Sequence, residues 1–277
     1  MNTIFKVPFS EIQMEFDNDL VWMENLLEAE VLRRSGMELP FYIGKKDKHV
    51  LFADLVDCPH LLIGGTNCLS EWMVPSNILF CLYCARKAKD LKLITIASKS
   101  EHTDFEMHMI GHEKDRSTGF APVYSDGTDI AKTLMSVSTE LDRRYEALNS
   151  LNANDVRQYN TLKKRTRMPY IAVFISGFRE LTLKYGKEVE AGIARIAQKG
   201  QAVGVHLVVS NNRVTQKAFS SRIRKNFPTR IAFNVPTERQ SRLLLDNDEA
   251  TQICRGRGIW SDKERDTIEF KSSIIMV

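Results

Sequence analysis

Five short apolar runs set the frame for this chain. HLLIGG (His60 to Gly65), LKLITIA (Leu91 to Ala97), PYIAVFIS (Pro169 to Ser176), VHLVVSNN (Val205 to Asn212) and TRIAFNV (Thr229 to Val235) are separated by longer stretches with helical spacing. A run that is apolar at nearly every position, such as PYIAVFIS, suits a strand buried on both faces. Strands alternating with helices imply βαβ units. The predicted fold class is therefore α/β, a mostly parallel central sheet flanked by helices.

The spacing predicts helices over about Glu71 to Lys89, over Thr128 to Ser150, and over GKEVEAGIARIAQKGQAVG, stopped by Gly200 and Gly204. The stretch that follows Ala97, through about Asp126, reads as polar and irregular. GIWSD and TIEFKSSIIMV read as a closing hairpin. Residues 1–40 lack the alternation, and DNDLVWMENLLEAEVLRR reads as one amphipathic helix. The expected organisation is a small helical N-terminal appendage over 1–40 before a core over 41–277.

With 277 residues, 43% of them hydrophobic and 27% charged, the chain can build a full core. No apolar run approaches the ~18 to 20 residues that cross a bilayer. The longest, ILFCLYCA, reads as a buried helix segment, and the start carries no compact apolar leader. Five irregularly spaced cysteines suggest no disulfide framework, so a reducing, cytoplasmic setting is expected. Cys81 and Cys84 share a helical face and read as buried thiols. His108, His112 and Glu113 fall in a loop-like region and do not make a convincing metal set.

PHLLIGGTNCLSEW (Pro59 to Trp72) opens like a phosphate-binding loop, a strand running into glycines and then a helix. A working loop reads G-x-x-x-x-G-K-[ST]: backbone N–H groups wrap the phosphates, the lysine neutralises their oxygens, and the hydroxyl holds Mg²⁺. Gly65 and Thr66 stand at the entrance, but Ser70 occupies the second glycine position. If that position needs a left-handed backbone, serine costs on the order of 1 kcal/mol or more. Glu71 stands at the lysine position and Trp72 at the hydroxyl position. Starting the motif at Gly64 shifts these assignments by one and still supplies no lysine. At about 4 Å and an effective dielectric near 20, a unit charge pair is worth roughly 4 kcal/mol. Exchanging attraction for repulsion therefore costs up to about 8 kcal/mol before relaxation, comparable to the whole free energy of micromolar binding.

The order of further landmarks resembles the motor domain of the FtsK/SpoIIIE family of DNA translocases, RecA-like hexameric P-loop ATPases that pump double-stranded DNA. The resemblance runs from about Glu24 to Trp260. It is carried by ENLLEAEVLRRSGMELPFYIGK, ADLVDCPHLLIGGT, ELDRRYEALNSLNANDVRQYN, PYIAVFISGFREL, VEAGIARIAQKGQAVGVHLVVSNNR and NFPTRIAFNVPTERQSRLLLD. It implies a RecA-like fold with a nucleotide crevice. It also implies an acidic pair after PYIAVFI, one member for Mg²⁺ and one to activate water. This chain has Ser176 and Gly177 there, neither of which coordinates strongly or accepts a proton. Ala97 replaces an aspartate, and Asn211 and Asn212 replace a threonine–glutamine sensor, while Lys99 and Arg213 are kept. The reading is a pseudo-ATPase, with no catalytic residue, no metal site, and ATP and Mg²⁺ binding weakly or not at all.

The resemblance matches Arg143 and Arg144 to a basic pair, and such arginines can act across a subunit boundary on a neighbour's nucleotide. The plainer alternative is a surface ion pair with Asp142 or Glu146 at helical spacing. Lys163, Lys164, Arg165 and Arg167 form the most pointed basic run, read either as a solvated loop or as a contact to DNA phosphates. Arg222, Arg224, Lys225 and Arg230 read either as helix-surface charge or as facing DNA or a neighbouring subunit. The implied partners are double-stranded DNA without sequence preference, and further copies of the chain or an active FtsK-like ATPase. Two alternatives stay open. One is an active translocase with relocated residues drawn from Lys99, Glu101, Asp104 or Glu106. The other is an inactive ATPase module of a conjugation or secretion machine. The family's membrane anchor and winged-helix module are not found in the sequence, so sequence-directed translocation is not expected.

Overall fold

The computed structural model describes residues 4–8, 20–22, 36–66, 68–87, 89–96, 120–124, 127–262, 264, 266–272 and 274–276. The five apolar runs form β5 (His60–Gly64), β6 (Leu91–Ile96), β8 (Tyr170–Ile175), β9 (Val205–Asn211) and β10 (Thr229–Ala232). They lie parallel in the order β10-β5-β9-β8-β6. β5, β8, β9 and β10 are buried at every position, as their composition requires.

A sixth parallel strand, β7 (Phe120–Tyr124), adds to β6 in the stretch expected to be irregular. Its sequence, FAPVY, contains a proline, which a sheet tolerates at an edge, and β7 is the outermost strand among the described residues. On the other side the sheet turns antiparallel through β11 (Arg257–Ser261) and β12 (Thr267–Lys271), then β3 (Pro40–Lys46), β4 (His49–Asp54) and β1 (Ile4–Pro8), eleven strands among the described residues. β11 and β12 are the expected hairpin. The last residues leave it: β13 (Ile274–Met276) pairs in parallel with β2 (Leu20–Trp22) in a separate two-stranded sheet. Leu20–Trp22 is therefore a strand where a helix was expected, and residues 23–35 lie outside the described part.

The helices are α1 (Cys68–Ala85), α2 (Gly127–Ser150), α3 (Val156–Leu162), α4 (Phe178–Lys199), α5 (Ser221–Asn226) and α6 (Glu238–Leu245). α1 begins and ends earlier than its spacing suggested, so Pro75 is its eighth residue and not part of its first turn. There its missing N–H withdraws a bond from the Glu71 carbonyl. α4 is broken at Gly186, whose φ of 75° is left-handed, so the helix read from Gly186 onward is its second segment. α2 packs along α4, with Arg195 bonded to both carboxylate oxygens of Asp142 and the Tyr145 hydroxyl donating to the Lys199 carbonyl.

Candidate functional site

Parallel strands bring their C-terminal ends to one edge, and α/β ligands bind in the crevice outside that edge. Gly64 of β5 is in register with Asn211 of β9, while Ile175 of β8 is in register with Val209, so the glycine loop, Ser176 and Asn211 meet there. The resemblance placed the nucleotide at this edge.

The glycines have a packing reason to be glycine. A Cβ on Gly65 would lie 2.7 Å from the Cβ of Phe233, and one on Gly64 would lie 2.5 Å from Leu244 Cδ2 and 2.9 Å from Phe219 Cζ. The loop is also stitched to the chain beyond β10. Phe233 N–H donates to the Gly64 carbonyl (2.8 Å), and both the N–H and the hydroxyl of Thr66 donate to the Asn234 carbonyl (3.0 and 2.9 Å). Those donors are engaged within the fold. Gly65→Ala is therefore expected to cost about 1–3 kcal/mol by overpacking, read from urea unfolding. Ser70, Glu71 and Trp72 occupy the third to fifth positions of α1; their side chains lie outside the described part.

Ser176 and Ser210 are buried, and the Ser210 hydroxyl donates to that of Ser176 at 3.3 Å. Gly177, at φ 65°, starts α4 without a side-chain cap. A hydroxyl pair and a glycine do not fit the magnesium ion that the family implies. Asn211 is buried, its side-chain Oδ1 accepting from Arg213 N–H (3.2 Å), while Asn212 is exposed. No group of three or more His, Cys, Asp or Glu able to hold a metal exists among the described residues. Ala97, Lys99, Glu101, Asp104, Glu106, His108, His112 and Glu113 lie outside them. Cys81 is buried, as expected of a structural thiol; the side chain of Cys84 lies outside the described part.

The basic candidates separate. Arg143 is exposed and grips Glu140 with two 2.7 Å bonds. Arg144 is 1% exposed, bonded to Glu140 (2.8 Å) and to the Val203 carbonyl (2.8 Å). Those bonds to Arg143, supported by Arg144, hold the Glu140 carboxyl down at about 2. The partner is therefore Glu140 and not Asp142 or Glu146, and burial withdraws Arg144 from any reach into a neighbouring subunit. Arg230 is equally buried, bonded to Asp246 and to the Leu244 carbonyl, so it faces neither DNA nor solvent. Arg222 and Lys225 are exposed, and Arg224 pairs with Asp246 at 3.0 Å. Lys163, Lys164, Arg165 and Arg167 are all exposed on the loop leading into β8, at the strand-start edge opposite the crevice.

A model of the FtsK/SpoIIIE family matches residues 23–216. The chain is 30% identical over 236 residues to a DNA translocase FtsK of Chlorobaculum tepidum, covering 84% of this chain and 29% of that protein. It is 29% identical over 245 residues to a DNA translocase FtsK of Helicobacter pylori, covering 87% and 28%. The chain thus spans under a third of the length of these relatives. Among solved structures, the pCW3 conjugation coupling protein TcpA, in monomer form with ATPγS, aligns with a TM-score of 0.75 at 19% identity over 94% of this chain and 71% of that one. The cytoplasmic domain of the type VII secretion ATPase EccC from Thermomonospora curvata aligns at 0.73 and 18% identity, over 86% and 29%. The architecture is that of a RecA-like P-loop ATPase domain. No helix among the described residues is long and apolar enough to cross a membrane. With its landmarks in family order and the family model covering most of its length, this chain belongs to the FtsK/SpoIIIE family.

Proposed function

We propose that this chain is a catalytically degenerate FtsK/SpoIIIE motor domain, a cytoplasmic pseudo-ATPase. It assembles with copies of itself or with an active FtsK-like ATPase and holds duplex DNA through its phosphates without regard to sequence. One observation carries the reading: both halves of the crevice are altered while the scaffold between them is intact. Glu71 and Trp72 stand where a lysine and a hydroxyl belong, and Ser176 and Gly177 stand where two carboxylates belong, around strands in unbroken parallel register. The engagement of both Thr66 donors with Asn234 supports it further.

The test is titration calorimetry with Mg·ATP, together with phosphate release measured with and without duplex DNA and light scattering for assembly. The expected result is no micromolar binding and no DNA-stimulated turnover. Micromolar Mg·ATP binding would overturn the reading. Phosphate release abolished by Lys99→Ala would establish the active alternative instead.

A further inference from the structure

The basic run before β8 does not stand alone in the fold. Its loop, residues 163–169, lies against the loop between α1 and β6. Tyr170 N–H donates to the Asp90 carbonyl (2.9 Å), and Arg167 Nη1 lies 3.9 Å from Asp90 Oδ1. Both loops line one crevice of about 380 Å³, with Arg86, Asn160 and Tyr170 in its walls. Two lysine-rich segments far apart in sequence therefore share the strand-start edge of the sheet.

Lys87, Lys89 and Lys92 from one segment are exposed, as are the four cations of the run. Of these seven, Arg167 lines the crevice beside the carboxylates of Asp90 and Glu38; set against those two acids, the seven carry an excess of positive charge larger than the +4 of the entire chain. Positive potential is thus concentrated here, with the rest of the chain close to neutral. Arg86 is fixed in the wall, its guanidinium donating to the carbonyls of Glu38 (2.6 Å), Met37 (2.8 Å) and Ala85 (3.2 Å).

We infer that this edge is a composite surface for the sugar–phosphate backbone of duplex DNA, to which Lys87, Lys89 and Lys92 contribute alongside the run from Lys163 to Arg167. The inference rests on the DNA reading proposed above and adds to it a location and a second half. The shape selects the partner. Two cationic segments meet at a recessed polar crevice, which suits a raised phosphodiester strand, whereas an anionic bilayer is flat and rewards apolar insertion. Among the described residues, Leu162 is the one large exposed apolar side chain adjoining the run. Because the surface lies across the sheet from the nucleotide crevice, DNA binding here is independent of nucleotide.

The test is fluorescence anisotropy of a short labelled duplex at about 50 mM salt and over a salt series. The variants are Lys87→Gln/Lys89→Gln/Lys92→Gln, Lys163→Gln/Lys164→Gln/Arg165→Gln, and Lys132→Gln on α2 as the distant control, each checked for unchanged unfolding. Each triple variant is expected to weaken binding about tenfold or more and to flatten the salt slope by up to about 3, each lost phosphate contact removing about 0.9. The control is expected to bind as the parent does. Loss in the run variant alone would overturn the composite surface while leaving the DNA reading intact. A parent protein that binds no duplex would remove the DNA reading itself. Binding to phosphatidylserine vesicles without duplex binding would assign the edge to a membrane surface.

Discussion

Acid is expected to unfold this protein unusually early, and two buried histidines are the reason. His60 opens β5 and His206 lies near the start of β9, their rings 6.4 Å apart between the neighbouring rings of Tyr170 and Phe227. Burial drives both imidazoles down from 6.5 to about 3; for His60 the second cause is His206, and for His206 the nearby charges of Arg144 and Arg157 also push downward. A bond to the Pro59 carbonyl opposes the shift at His206 without offsetting it. Because the folded values lie below the unfolded one, the unfolded chain takes up protons first as pH falls. The contribution of the two histidines is therefore level well above pH 6.5 and declines below it, by up to ~1.4 kcal/mol per pH unit per histidine. Between about pH 6.5 and 4.5 the pair removes roughly 5 kcal/mol. Urea midpoints across that window check this. His206→Asn is expected to halve the slope, and a variant as steep as the parent would refute the assignment.

Arg230→Ala is expected to lower the unfolding free energy by about 3–5 kcal/mol. The guanidinium is 1% exposed and holds together the turn from α5 into β10 and the end of α6, through the carbonyls of Arg224 (3.1 Å), Phe227 (3.3 Å) and Leu244 (2.7 Å) and the carboxylate of Asp246 (2.9 Å). Asp246 is exposed and keeps its pair with Arg224 when Arg230 is removed, but the buried carbonyls of Phe227 and Leu244 lose their donors, and that is where the loss arises. Arg230→Lys keeps the charge without the fork and is expected to recover only a minor part. Thermal and urea unfolding of the two variants together check the claim. A loss under 1 kcal/mol for the alanine variant would show that water replaces the lost donors.

The parallel half of the sheet was legible because strands buried on both faces write themselves as apolar runs. Strand β7 was not, since an edge strand holding Pro122 and flanked by polar residues carries no such run. The N-terminal residues misled for a related reason. Helical spacing around Leu20 to Trp22 says nothing of the C-terminal strand that pairs with them, and a partner more than 250 residues away leaves no local mark.

At the crevice, the replaced residues were readable from motif spacing. The packing that fixes the glycines and the tie from Thr66 to Asn234 were not, because both depend on residues after β10. Charge was the least legible property. Arg143 and Arg144 are neighbours of identical chemistry, yet one is in water and the other is under the fold, decided by which side of α2 meets α4 and the turn at Val203. The lysines at 87, 89 and 92 carry no motif in the sequence, and only the approach of the segment from the end of α1 into β6 to Arg167 gives them meaning.

The small sheet of β2 and β13 has a mechanical consequence. Its strands run parallel, with Leu20 beside Ile274 and Trp22 beside Met276. Tension applied backward through the residues before Leu20 and forward through Val277 would pull the two strands past each other along their length. All the cross-links then bear the load together and do not open one at a time. In a relative of rope-hauling machines, such a clasp resists pulling between its two ends far better than it resists being peeled away sideways.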